Sequence, residues 1–91
     1  MKDNVVFEYY YIENSIDEWH SNVTGSFATL EAALEGLKER SDWYCSKGTG
    51  DIYRKTFIEG PNGELDAKDV RVFSRRHYDV LHNLPGEFYN K

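Results

Sequence analysis

Cysteine, proline and long apolar runs are all scarce in this chain, and each scarcity excludes something. Cys45 is the only cysteine among 91 residues, so no disulfide can close within the chain. Small secreted domains commonly depend on such staples, and the expected compartment is a reducing cytoplasm. No apolar run is long enough to cross a bilayer. The opening stretch, MKDNVVFEYYYIENS, lacks the apolar region and small-residue cleavage site of a signal peptide. In that setting Asn22-Val23-Thr24 is a chance match to a glycosylation acceptor.

Motifs for chemistry are also missing. His20, His77 and His82 are scattered, and the last two lie five residues apart, a spacing that does not align ligands on a helix. Cys45 follows Trp43-Tyr44 with no histidine beside it and reads as a small packed hydrophobe. In Lys47-Gly48-Thr49-Gly50-Asp51 the glycines follow a helical pattern and precede a strand pattern. A phosphate-cradling loop needs the reverse order, so they read as a helix stop and a connection. The paired carboxylates Asp17-Glu18 sit in turn sequence without the burial that acid–base work requires. The expectation is a protein that is not an enzyme, with no catalytic residue, no metal and no cofactor.

Aromatic residues and acids are plentiful: 7 Tyr, 5 Phe and 2 Trp, with 16 Asp or Glu against 11 Lys or Arg. Asn4 to Glu13 is β-branched and aromatic without Gly or Pro, which predicts a strand. Val5, Phe7, Tyr9 and Tyr11 would line one face, and Val6, Glu8, Tyr10 and Ile12 the other. Glu18 to Phe27 alternates as a returning strand, with Trp19, Val23 and Phe27 on one side. Leu30, Ala33, Leu34 and Leu37 have helical spacing behind an N-cap at Thr29, and this helix is expected to reach about Ser41. Period two returns from Asp51, where Ile52, Thr56 and Ile58 alternate with Tyr53, Lys55 and Phe57. Gly60-Pro61-Asn62-Gly63 is a turn. Glu64 to Arg75 is the returning strand, with a bulge expected near Lys68-Asp69. A short helix from Arg76 to Leu84 stops at Pro85-Gly86, and residues 86–91 form a loose tail. The sum is one α+β domain over residues 1–91. Its β-β-α-β-β-α order most simply gives a four-stranded antiparallel sheet with the main helix on one face.

The charge is unevenly shared: residues 1–46 carry nine acids and three Lys or Arg, residues 47–91 seven and eight. Glu31, Glu35 and Glu39 fall along one helical stripe, which would raise association with a basic surface. The leading expectation is therefore a protein-binding module with a basic partner. Its contact candidates are Glu8, Tyr10, Asp17, Glu18, Trp19, Glu31, Glu35 and Glu39. The alternative is a weak nucleic-acid or phosphate site at Lys68, Arg71, Arg75 and Arg76. It is disfavoured, because Asp66, Asp69 and Asp79 interrupt the cluster and the chain carries a net charge of −5. The aromatics of the first hairpin are expected to serve mainly in core and cross-strand packing, since an aromatic platform for bases is ordinarily ringed by cations, and any tyrosine left outside the core suits an interface. A homodimer paired through the first strand is a third reading, and no membrane partner is expected. In size, acidity and lack of catalytic residues the chain resembles the small acidic inhibitors of phages and mobile elements, nucleic-acid mimics and anti-CRISPR proteins among them. That resemblance is one of composition, and it implies inhibition by binding.

Overall fold

The computed structural model describes residues 4–15, 21–40 and 47–89. Their elements run β1 (Asn4–Ser15), β2 (Ser21–Phe27), α1 (Leu30–Glu39), β3 (Gly50–Glu59), β4 (Leu65–Arg75), α2 (His77–Leu81) and β5 (Glu87–Phe88). They form one antiparallel sheet in the order β2-β1-β3-β4-β5. The α+β class and the antiparallel sheet agree with the sequence reading. The strand count does not, because the sheet has five strands instead of four.

The fifth strand comes from the expected tail. Phe88 meets Phe73 edge to face at 4.7 Å, and the Tyr89 N–H donates to the Val72 carbonyl at 3.0 Å. Gly86 approaches the Phe73 ring so closely that a Cβ would collide with it. A buried aromatic on β4 thus holds a segment whose own sequence carries little strand signal.

Helix α1 begins as expected, with Thr29 Oγ1 accepting from the Ala32 N–H at 3.1 Å. It ends earlier, at Glu39, where the Arg40 N–H closes on the Gly36 carbonyl at 3.1 Å. The expected continuation past residue 40 lies outside the described residues. Its apolar side, Ala33 and Leu37 with Leu30 and Leu34, packs on Ile12, Ile52, Val72 and Phe73, flanked by Tyr10 and Phe27. The second helix is five residues long and buries none of them. The 60–64 turn forms as read, with Gly63 at φ +83° and the Gly60 N–H bonded to the Glu64 carbonyl at 2.8 Å.

Three irregularities reset which side chains face the helix. One register shift lies between Val5 and Phe7 against β3, and one between Tyr10 and Ile12 against β2. The third sits opposite Ile52/Tyr53, where Val72 is the extra residue, a few positions past the expected bulge at Lys68-Asp69. An extra residue inverts the alternation beyond it. Val23 and Phe27, expected on one side, are therefore on opposite sides. Val23 pairs beside Glu13, and Phe27 pairs with Tyr10 on the helix side. Gly25, at φ +84°, supplies the backbone that permits the change.

The helix covers only one end of the sheet. Ten helical residues span about 15 Å, whereas a ten-residue strand runs about 33 Å. The molecule measures 48 × 26 × 18 Å with a radius of gyration of 14.6 Å, against about 12 Å for a compact domain of this length. Val5, Val6 and Phe7 at the far end are each more than half exposed.

Candidate functional site: the uncovered face of the sheet

Opposite the helix, the sheet presents a face that no helix among the described residues lies across. Cross-strand pairs share a face, so the register alone places its side chains. Glu13 pairs with Asp51, Tyr11 with Tyr53, Tyr9 with Lys55 and Phe7 with Phe57. On β4, Arg71 lies beside Tyr53, Asp69 beside Lys55 and Ala67 beside Phe57.

The aromatic rings form a connected patch. Phe7 and Tyr9 lie 5.8 Å apart and Phe7 and Phe57 also 5.8 Å. Tyr9 contacts Tyr11 at 6.2 Å and Phe57 at 6.4 Å. Tyr11 and Tyr53 stack at 5.5 Å with an 11° interplanar angle. At the β4 margin the Arg71 guanidinium sits over the Tyr89 ring at 4.4 Å. Such contacts stabilise by about 0.5–1.5 kcal/mol per pair beyond area burial. They hold the rings in place without removing them from solvent, and Phe7 remains 56% exposed. Of the expected core and cross-strand packing, Phe7, Tyr9 and Tyr11 show the cross-strand part. Tyr10 alone of the three consecutive tyrosines turns toward the helix and packs on the core.

Polar groups are interleaved with the rings. The Tyr11 hydroxyl donates to Asp69 Oδ1 at 3.2 Å, and Lys55 Nζ lies 3.8 Å from the same oxygen. Burial, with Asp69 next in effect, holds the Tyr11 phenol well above its ordinary range. Burial and then Asp51 push the Tyr53 phenol upward too. Both rings thus stay neutral hydrogen-bond donors at physiological pH.

Where the face meets α2 there is a cavity of about 320 Å³ lined by Glu13, Asp51, Arg71, Arg75, Arg76 and His77, among others. Arg75, which pairs with Gly50 on the helix side of the sheet, has a buried Nε with no hydrogen-bond partner among the described residues. Behind this end, buried Asn14 donates to the Thr49 carbonyl at 2.6 Å and accepts from Arg40 Nε at 3.1 Å. These bonds tie β1 to the helix C-terminus and to the chain entering β3.

The contact candidates read from the sequence are distributed differently. Asp17, Glu18 and Trp19 lie outside the described residues, as do His20 and Cys45. Glu8, Tyr10 and Glu31 do come together, around a shallow depression of about 390 Å³ that also includes Arg54. Glu8 pairs with Arg54 at 3.7 Å, Glu35 with Lys38 at 3.2 Å and Glu39 with Lys47 at 3.6 Å. Three of the helix-side acids are thus locally compensated, though exposed pairs of this kind contribute little to stability. In the basic group, Arg71, Arg75 and Arg76 share the cavity, while Lys68 is exposed beside Thr56 on the opposite face.

Tyr53, Phe57, Asp69 and Tyr89 belong to the face and were not singled out from the sequence. The alternation Tyr53-Lys55-Phe57 was legible; its register against Tyr11 and Phe7 was not, since that depends on pairing across the helix. Among the described residues no group of three or more His, Cys, Asp or Glu is placed to hold a metal ion, and no helix is long and apolar enough to cross a membrane. Comparison with protein-family models, with curated proteins and with solved structures gives no match.

Proposed function

We propose that the chain is a non-enzymatic, acidic protein-binding module that grips its partner with the uncovered face of the sheet. The observation carrying this reading is the row Phe7-Tyr9-Tyr11 packed against Phe57 and Tyr53, with Phe7 more than half exposed and no helix among the described residues across it. Contiguous apolar surface of this kind on a small protein marks an interaction site, and tyrosine anchors contacts at low entropic cost.

The partner's chemistry follows from what lies between the rings. Glu13, Asp51 and Asp69 flank the tyrosines, and the chain as a whole carries a net charge of −5. Arginine and lysine side chains suit such a surface, because their cations lie over aromatic faces while their donors reach carboxylates. The Arg71–Tyr89 contact is an internal example of that mode. A basic partner was also the expectation from charge; the proposed contact surface is the face of the sheet opposite Glu8, Tyr10 and the helix acids. Inhibition of a nucleic-acid-binding protein, the role implied by the likeness to phage-borne inhibitors, is the biological form of this proposal.

A photo-crosslinking amino acid placed at Tyr9 and, separately, at Glu35 tests the assignment in the native host. Protein adducts from position 9 that are lost when Phe57→Ser is added are the expected result. Adducts from position 35 alone, or from neither position, refute it.

A further inference from the structure

The cavity at the α2 end of the face brings arginines and carboxylates together. Three arginines line it, and one of them, Arg75, has a buried Nε without a hydrogen-bond partner among the described residues. A buried donor left unsatisfied calls for an acceptor. Glu13 and Asp51, directly paired across β1 and β3, share the same cavity. Like charges directly opposite one another are unfavourable, and ligand groups that donate hydrogen bonds would relieve them. One strand repeat further along, Tyr11 and Tyr53 stack.

The cavity thus gathers cations and carboxylates at the strand ends, and the stacked rings lie one strand repeat from the carboxylates. Same-face positions on a strand are about 7 Å apart, which is the scale of successive parts of a nucleotide. We propose that this end of the face binds a ribonucleotide. Its phosphate lies at Arg75 and Arg76, its ribose hydroxyls donate to Glu13 and Asp51, and its base rests against the Tyr11–Tyr53 pair. Arginine suits the phosphate because its planar fork presents paired donors. Carboxylates suit the ribose because they accept from hydroxyls. The Arg71 guanidinium, held over Tyr89, closes the side toward β5. The site shares Glu13, Asp51, Tyr11 and Tyr53 with the protein-binding reading, whereas the crosslink at Tyr9 reports on that reading alone, so the two failures are distinguishable.

The test is a titration of the full-length, isotope-labelled protein followed by NMR, with four probes: uridine 5′-monophosphate, its 2′-deoxy analogue, inorganic phosphate and a short oligouridylate. The monophosphate is expected to shift the ring resonances of Tyr11 and Tyr53. Removing one hydrogen bond to a charged group corresponds to about tenfold, so the deoxy analogue should bind that much more weakly. Arg75→Gln should weaken every phosphate-bearing probe by about tenfold as well. Tyr53→Leu should weaken the nucleotides and leave inorganic phosphate unchanged. Tighter binding of the oligomer, with shifts spreading to Tyr9 and Phe57, identifies an RNA strand as the source. Equal affinity for monomer and oligomer identifies a free nucleotide.

The proposal is overturned if no probe shifts the tyrosine rings at up to about 10 mM, a concentration that detects even millimolar affinity. It is also overturned if inorganic phosphate binds as tightly as the nucleotide and Tyr53→Leu changes neither. Should Arg75→Gln fail to fold, Glu13→Gln decides: it should abolish the preference for ribose over deoxyribose, and a retained preference sinks the assignment.

Discussion

Tyr11 joins three functions of a side chain in one position. Its ring stacks on Tyr53, its hydroxyl bonds Asp69, and its partial burial keeps the phenol protonated. The raised pKa has a definite consequence for stability. Because the folded chain holds the Tyr11 proton more tightly than the unfolded chain does, its contribution is full below the unfolded value of about 10. It is lost as the pH climbs above that value, since ionisation then favours the unfolded state. Tyr53 acts in the same direction. Denaturant midpoints measured from neutral to strongly alkaline pH should therefore fall above about pH 10. Tyr11→Phe should flatten that fall at a small loss at neutral pH, and an unchanged alkaline slope in the variant contradicts the account. Asn14 illustrates the same scale inside the core. Its amide bonds the Thr49 carbonyl and Arg40 Nε at once, and Asn14→Ala should cost about 0.5–1.5 kcal/mol for each hydrogen bond lost.

Between helix and sheet the critical fit is around Phe27. Its ring lies between Gly25 and Gly36, and a Cβ on Gly36 would stand 2.6 Å from Phe27 Cζ. Helix propensity alone says Gly36→Ala should stabilise by about 1 kcal/mol. Overpacking of a formed contact costs about 1–3 kcal/mol, so the expected net result is a lower melting temperature. In a Phe27→Leu background the clash is relieved, and the same Gly36→Ala change should become neutral or stabilising. The sign reversal in thermal melts is the measurement, and additivity of the two changes would refute the steric explanation. Much at this scale was legible in the sequence. The Thr29 cap, the 60–64 turn, the apolar side of α1 and the strand character of β1, β3 and β4 are written in local chemistry. The helix's early stop and the capture of residues 87–88 as a strand were not, because each depends on a partner distant in sequence. Nor was the outward placement of Phe7, Tyr9 and Tyr11. Both faces of β1 are aromatic, and only the position of α1 decides which one is dry.

Across the whole molecule, packing is one-sided and concentrated at one end. Ile12, Ile52, Val72 and Phe73 are fully or nearly buried beneath α1, while the outer parts of β1, β3 and β4 pair with each other and, among the described residues, have no layer over them. Local opening should follow that gradient. Amide exchange at Ile52 and Phe73 is expected to be slower than at Thr56–Ile58 and Asp66–Lys68 by at least about tenfold. Uniform protection along the strands would contradict the one-ended core. An occupant on the uncovered face would slow exchange at the distal amides most, so the same experiment reports binding.

The bulges at Val6, around Gly25 and at Val72 have an evolutionary consequence as well. Each works as a parity bit: one residue more or less upstream exchanges an entire run of side chains between the dry interior and the wet exterior. A lineage carrying this sheet could therefore acquire a different recognition surface through a single-codon insertion or deletion, without replacing the residues that compose it.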